Sequence, residues 1–582
     1  MAPTLREDIV TLTPALVHEA VRRLTAADGI FAVTERQVDG VPQRVFTHAA
    51  PTALDILTSG RGHGTADFVV FDDRRWTFEQ FFADVDALAA VLQHDMGVKR
   101  GARVAIAMRN CPDWILTFAA AIHLGAVPVL INSWGSAEEL EFTLRDSDPA
   151  VLAADLPRAK LAADALRQRR TALLFSDVDG GAEHLDDDLL AHLDMRIIRD
   201  AVAAGRGRNY TMARPEPEDM AMLLYTSGST GHPKGVVYLH VSVGQALMNM
   251  LLSGFLPLEL SGPTEMRGGA TSEAGLVTVP LFHATGLFSG FLVPCAVGQK
   301  VVLLRKWHAE TAMQTIQTEK ITIIATVPAI LKDLLTYPRF DDYDVSSLSR
   351  VAAAGAATPA GLPELLRDKL GIENRSAGYG MTETASVCAT MSGPVFDLKP
   401  MAAGIVSPII DLRVVDPQGN PLPSEQDGEI QLRGVTVTPG YWHRDDLTQE
   451  AFTPDGWLRT GDLGNIDDDG FLHITGRIKE IVIRGGENIS PIEIENVAYR
   501  HPSVKEVAVF GVTDDAMGEE LAMVCHPQPG SELTEDELRQ HLLNVLPTFK
   551  VPKYLALTDK PLPRNASEKI HRLALRDSFV AN

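Results

Sequence analysis

The chain has 582 residues, 45% of them hydrophobic, and a formal net charge of −23. That length exceeds what one core can organise and suggests roughly three to four domain-sized units. The acidic balance disfavours nucleic acid or an anionic membrane as partner, since both need a basic face.

The first residues, MAPTLREDIV, mix charges of both signs without an apolar stretch, so no targeting segment is expected. Buried strands rich in Val, Ile and Leu are predicted at 103–108, 221–225, 276–279, 301–304 and 321–326. Helices are predicted at 78–93, 242–252, 310–319 and 363–369. This alternation is the pattern of an α/β fold with doubly wound parallel sheets. The nearly uncharged run 114–131 approaches the length of a membrane span, but His123, Gly125 and Pro128 interrupt it. It reads better as a buried helix, 114–124, and strand, 127–131; the run 286–304 is read the same way. Stable membrane insertion is not expected. Residues 257–275 read as a surface loop, and from Ile410 short strands and turns suggest a small β-rich element. A separate α+β pattern follows Gly476, with strands at 479–484 and 504–513 and a helix at 535–546. The domain boundary is placed at 477–479, between an N-terminal unit of residues 1–476 and a C-terminal unit of residues 480–582. The four cysteines (Cys111, Cys295, Cys388, Cys525) lie far apart with no Cys-x-x-Cys spacing. That argues against a zinc site or a disulfide framework and suits a reducing cytoplasm.

Residues Tyr225-Thr-Ser-Gly-Ser-Thr-Gly-His-Pro-Lys-Gly-Val236 are the most informative segment. They read as a loop between a buried strand and a helix beginning near His240. Gly228, Gly231 and Gly235 free the backbone to turn N–H groups towards an anion. Thr226, Ser227, Ser229 and Thr230 add hydroxyl donors, and Lys234 adds a positive charge. The segment is a phosphate cradle but not a Walker A loop, because Pro233 stands where that motif's second glycine belongs.

Other segments are ambiguous one at a time. Leu281-Phe-His-Ala-Thr-Gly286 follows a strand, so His283 either ends it or serves a site. Tyr379-Gly-Met-Thr-Glu-Thr384 is a turn whose residue types also suit Mg²⁺ on a triphosphate. Val351-Ala-Ala-Ala-Gly-Ala-Ala357 is tight packing or a flat slot for a planar base. Asp462, within Arg459-Thr-Gly-Asp-Leu-Gly464, makes an ordinary Asx-turn or receives both hydroxyls of a ribose. Lys569, closing Pro563-Arg-Asn-Ala-Ser-Glu-Lys569, is by default a solvated surface charge.

In this order and near these spacings, the segments resemble the adenylate-forming superfamily of acyl-CoA synthetases, adenylation domains and beetle luciferases. The resemblance runs from about Trp76 to Arg572. It implies a large N-terminal domain of layered α/β halves plus a small β-barrel, hinged to a mobile α+β C-terminal domain. It implies a ligase that joins a small-molecule carboxylic acid to ATP, releases pyrophosphate and passes the acyl group to a thiol, usually coenzyme A. Thr226, Ser227, Gly228, Ser229, Thr230, Gly231 and Lys234 would then grip the β- and γ-phosphates. Thr382 would contact phosphate and Glu383 would hold Mg²⁺. Gly355, Ala356, Ala357 and Tyr379 would line the adenine slot, Asp462 would bind ribose, and Arg477 would add a cation beside it. Lys569 would bridge carboxylate and α-phosphate as a fixed charge. Lys479 would be the hinge, Gly485 and Gly486 would let pantetheine pass, and His283 would gate the acyl–thiol junction. A homodimer is left open.

The acid follows from what is missing. Amino-acid-activating relatives place an aspartate in the segment corresponding to 281–286, and none stands here. The stretches 287–293 and 327–331 are apolar, with no cation for a second carboxylate. An apolar monocarboxylic acid is expected, and Leu304-Arg-Lys-Trp307 looks most like fatty-acid ligases; an aryl acid is the alternative. Other acceptors (an amine, a carrier protein, oxygen) are the second class, and a silent nucleotide binder the third. The paired glycines favour CoA over other acceptors. Retention of Glu383, Asp462, Arg477 and Lys569 together argues against a silent binder.

One residue departs from the family. Glu568 stands where glycine is usual before the C-terminal lysine, and its carboxylate can pair with Lys569. Glu568→Gly is therefore expected to speed pyrophosphate release in the first half-reaction; an unchanged rate overturns that role.

Overall fold

In the computed structural model, residues 12–38, 40–178, 193–226, 232–261, 273–353, 362–372, 376–385, 387–528, 530–564 and 570–580 are described. Two largely parallel sheets share one core. The first orders its strands Lys234–Leu239, Met220–Thr226, Val127–Leu130, Arg103–Ala107, Val151–Ala154, Ala172–Phe175 and Met195–Ile197. The second runs Arg350–Ala353, Ile323–Thr326, Ala274–Val277, Lys300–Leu303, Asp67–Phe71 and Arg74–Thr77. Each has one antiparallel edge strand, Lys234–Leu239 in the first and Arg74–Thr77 in the second.

The helix Phe78–His94 starts where Thr77 accepts the Gln80 N–H and Gln80 returns a bond to the Thr77 N–H. Its Phe78 stacks on Phe68 at a ring separation of 4.0 Å. Both rings belong to the core shared with Trp114, Phe118 and Phe291. The run 114–131 is the helix Pro112–His123 and the strand Val127–Leu130, both buried. Gly125 turns between them at φ 64°, and a Cβ there would lie 2.8 Å from the Ala213 methyl.

The third sheet is antiparallel and larger than expected. It starts at Ser376–Tyr379 and continues through Ala389–Ser392, Gly404–Val406, Phe471–Arg477, Leu458–Ile466, Gly428–Gly434 and Ile410–Val415. Among the described residues no pairing joins its first and last strands, so the expected barrel is an open sheet here. A fourth sheet follows Arg477, with Val482–Arg484, Glu487–Ile489, Val504–Asp514, Gly518–Pro527 and Tyr554–Leu557 around their own core.

The loop expected from 257 is corrected in part. The helix His240–Ser261 continues through Pro257, and residues 262–272 lie outside the described ones. Its window His240–Leu260 is long and apolar enough to cross a membrane, yet half of it is buried in the fold. Its polar side chains are spent on neighbouring segments. Gln245 accepts from the Phe46 N–H at 2.7 Å and donates to its carbonyl, while Asn249 donates to the Val387 carbonyl. These bonds make it a core helix.

Two histidines are held neutral inside the fold. Burial lowers His123 and His240 to about 4, well below the usual imidazole range. The unfolded chain binds their protons from about pH 6.5 downwards. Their contribution is therefore present above that pH and lost as pH falls towards 4, at about 1.4 kcal/mol per pH unit for each. Buried Asp113, pushed up by burial, acts with the opposite sign. The test is thus the difference between wild type and His123→Gln in urea unfolding from pH 7 to pH 4.5. The variant should show a shallower acid-side loss, and parallel curves overturn the assignment.

Candidate active site

Asp462 lies in the strand Leu458–Ile466, directly opposite Arg477 in Phe471–Arg477. It sits in a strand rather than the tight turn expected from sequence. Gly461 precedes it at φ 69°, and Thr460 Oγ accepts the Asp462 N–H at 3.0 Å while donating to the Ile430 carbonyl. The Asp462 side chain is almost fully buried. Arg477 Nε donates to Oδ1 at 2.8 Å, and the Tyr379 hydroxyl donates to Oδ2 at 2.7 Å. Burial, with the Asp462 charge beside it, drives the Tyr379 pKa far above the phenol range, so this hydroxyl stays a donor. Tyr379, Asp462 and Arg477 thus form one hydrogen-bonded cluster.

The second cluster surrounds Glu383. Thr382-Glu383-Thr384 is a single 3₁₀ turn, closed by Ala385 in the left-handed region at φ 50°. Thr384 bonds the Met381 N–H and carbonyl, which makes it a brace for the turn. The Thr382 carbonyl accepts from the Tyr238 hydroxyl at 2.6 Å, and the Glu383 carbonyl accepts from the Thr438 N–H at 2.7 Å. Glu383 Oε1 accepts from the Tyr441 hydroxyl at 2.8 Å, and Lys234 Nζ lies 5.1 Å from the centre of the Tyr441 ring. Among the described residues no group of three or more His, Cys, Asp or Glu side chains forms a metal cage. One half-buried carboxylate still fits Mg²⁺, which commonly takes one or two carboxylates and completes its shell with phosphate and water.

The phosphate segment is not a strand-to-helix loop. Lys234–Leu239 returns as a strand antiparallel to Met220–Thr226, with Thr226 opposite Lys234, so the segment is the tip of a hairpin. Helix His240–Ser261 begins only after that return strand. Ser227, Gly228, Ser229, Thr230 and Gly231 lie outside the described residues, as do Gly355, Ala356, Ala357 and Lys569. Gly235 has a packing reason: a Cβ would stand 3.0 Å from the Tyr225 ring and 3.2 Å from Trp442 Cβ.

His283 precedes the short helix Ala284–Leu287; its carbonyl accepts the Leu287 N–H, and its ring lies 4.5 Å from that of Phe282. Asn110 fixes this segment by donating to the Val279 carbonyl and accepting the Leu281 N–H. Gly485 and Gly486, at φ 59° and 92°, form the two-residue turn between Val482–Arg484 and Glu487–Ile489. Gly485 abuts Met517, whereas nothing would meet a Cβ at Gly486 within 4 Å. Lys479 lies exposed in the turn Ile478–Glu480, where the third sheet hands over to the fourth. Arg564 and Ile570 pair in an isolated bridge, with Arg564 on Glu506 and Arg572 on Glu495.

A cavity of about 480 Å³ was missed from sequence. Arg109, Trp134, Arg158, Ser176 and Arg305 help line it, at the C-terminal ends of the parallel strands. From Arg103–Ala107 the chain crosses first to Val127–Leu130 on one side, then to Val151–Ala154 on the other. Such a switch point opens a crevice, and that topology was the available signal. Arg109 stacks on Trp134 at 3.8 Å, and Arg158 is tied to Asp155 at 3.1 Å.

The model of the AMP-binding enzyme family matches residues 57–442, and that of its C-terminal domain matches residues 493–569. The chain belongs to the AMP-binding enzyme family. It is 33% identical to feruloyl-CoA synthase of an Amycolatopsis species over 483 residues, covering 83% of this chain and 90% of that one. It is 30% identical to the mitochondrial medium-chain acyl-CoA ligase ACSF2 of Danio rerio over 529 residues, 87% of this chain and 84% of the relative. The crystal structure of an anthranilate CoA ligase with anthranoyl-AMP superposes at a TM-score of 0.78 and 25% identity, covering 91% and 97% of the two chains.

As a member of this family the protein is an AMP-forming acid–thiol ligase that uses ATP, Mg²⁺ and coenzyme A. If the Asp462 cluster receives the nucleotide, Asp462→Ala should weaken ATP binding by about tenfold or more, the loss expected for hydrogen bonds to a charged group. Isothermal titration calorimetry measures this, and an unchanged affinity places the nucleotide elsewhere.

Proposed function

We propose that this ligase activates an apolar monocarboxylic acid, a fatty acid in the first reading, and transfers it to coenzyme A. The observation that supports the chemistry is the pair of clusters around Asp462 and Glu383, read as a ribose acceptor and a metal carboxylate. Asp462 takes the ribose hydroxyls, Tyr379 flanks the adenine, and Arg477 stands beside the α-phosphate. Lys234 and the hairpin tip hold the β- and γ-phosphates. Glu383 would hold Mg²⁺, which would supply charge neutralisation on the triphosphate. The acid's carboxylate attacks the α-phosphorus, the bond to the β-phosphate oxygen breaks, and pyrophosphate leaves. Lys569 is proposed as the fixed cation on carboxylate and α-phosphate during that step.

For the second step the thiolate of CoA attacks the acyl carbonyl and AMP leaves. We place the hinge at Lys479, between an N-terminal domain ending at 476 and a mobile C-terminal domain beginning at 480. Gly486 supports a pantetheine path, since its face is open. The arginine-lined cavity supports a seat for the anionic CoA nucleotide, with the Arg109–Trp134 stack as a platform for its purine. His283 is proposed at the acyl–thiol junction. A reducing cytoplasm is the proposed compartment, supported by four buried, unpaired cysteines.

The acid rests on residues 281–286, which carry no acidic side chain for a substrate ammonium. An aryl acid is the second reading, favoured by the likeness to feruloyl-CoA synthase. Pyrophosphate release across medium- and long-chain fatty acids, cinnamic acids and benzoic acids, with and without CoA, separates the two. Turnover confined to the aryl acids overturns the fatty reading. Release without thioester overturns CoA as acceptor.

A further inference from the structure

We infer that Tyr441 is a positioning residue that holds the metal carboxylate and the phosphate-gripping lysine at once, one with each end of its side chain. This rests on the roles proposed for Glu383 and Lys234. The hydroxyl donates to Glu383 Oε1 at 2.8 Å, and the face of the same ring lies 5.1 Å from Lys234 Nζ. A phenol is suited to both tasks. Its O–H is a directional donor to a carboxylate, and its π face attracts an ammonium without neutralising it.

Tyr441 is itself fixed by main-chain contacts. Its N–H donates to Thr448 Oγ at 3.0 Å, and it pairs with Val236 in an antiparallel bridge. Val236 is two residues from Lys234 on the same return strand, so the backbones that carry ring and ammonium are paired. The Glu383 backbone is held independently by Thr438. What the Tyr441 hydroxyl adds is therefore the rotamer of the Glu383 side chain, hence where the carboxylate meets the cation. What its ring adds is the reach of Lys234 over the triphosphate. An ion pair between Lys234 and Glu383 would cancel both charges; a tyrosine between them keeps each available to ATP and metal.

The two functions separate by substitution. Tyr441→Phe keeps the ring and the backbone contacts but removes the hydroxyl. Its affinity for ATP in EDTA should stay within about twofold of wild type, while the Mg²⁺ concentration that half-saturates ATP binding rises by roughly five- to tenfold, the loss of one charge-assisted bond. Tyr441→Leu removes the ring as well, and its metal-free ATP affinity should fall several-fold. That further loss should vanish in a Lys234→Met background, because the ring acts through the lysine. Calorimetry with ATP, with and without Mg²⁺, gives every readout; melting temperatures identify variants that fold, and Tyr441→Met replaces the leucine variant if it does not. An unchanged Mg²⁺ requirement in Tyr441→Phe overturns the hydroxyl's role. A ring effect that persists without Lys234 overturns the ring's role. These binding measurements need no acid, so they stand even if the substrate panel fails, and that failure would count against the ligase reading alone.

Discussion

Backbone pairing along both edges of Lys234–Leu239 is the constraint on which the proposed nucleotide site depends. One edge pairs with Met220–Thr226, and the other receives residues 440–442 through Trp442 N–H to the Gly235 carbonyl and Val237 N–H to the Gly440 carbonyl. Two side chains lock the joint from beneath: Tyr225 and Trp442 both bond Asp146, the first to its carboxylate and the second to its carbonyl. Each such bond contributes only about 1 kcal/mol net, but leaving a buried N–H or C=O unmet costs more. The pairing is therefore hard to undo piecemeal. It brings the phosphate hairpin from the first sheet against the Glu383 turn, which leads into the third sheet.

The buried strands and long helices were legible because their signals are local. Continuous Val, Ile and Leu marked the parallel strands, and the helical stretches between them, such as 78–93, marked the layering. Lys234–Leu239 was not legible, and the consequence was a wrong template for the phosphate segment. Its sequence is short, follows a proline and begins with a lysine; it is a strand because it pairs back along Met220–Thr226, and residues 440–442, some two hundred positions later, bond its far edge. The early strands of the third sheet hid for a similar reason. Ser376–Tyr379 and Ala389–Ser392 are built from small and polar residues, and pairing across the sheet, rather than their own propensity, defines them.

The site was legible where residue type carries meaning and obscure where position does. Asp462, Tyr379 and Arg477 come from three separate motifs and meet within hydrogen-bond distance. Tyr441 and Tyr238 have no motif of their own, and only the return strand shows that both serve the Glu383 turn. Several glycines proved to be packing devices. Gly235 makes room for two aromatic rings, and Gly286 approaches the Pro280 carbonyl so closely that a Cβ would lie 2.0 Å from it. A glycine-rich segment is thus weak evidence for a ligand until its neighbours are known.

A chain with a net charge of −23 faces an electrostatic difficulty in gripping a triphosphate. Its long-range field opposes the substrate, so attraction must come from groups oriented at short range, where dielectric screening is weaker. Several cations on its anion-binding surfaces are held by a partner: Arg477 by Asp462, Arg158 by Asp155, and Lys234 by the Tyr441 ring. Partners of this kind cost some charge strength and fix direction, which is what preorganised stabilisation of developing charge requires. The partners also differ in kind. Carboxylates flank the arginines, where ribose or a purine needs acceptors and planes, whereas a neutral ring flanks the lysine, where the phosphate charge is greatest. On the proposed reading, full cationic strength is thus kept where pyrophosphate would be drawn away.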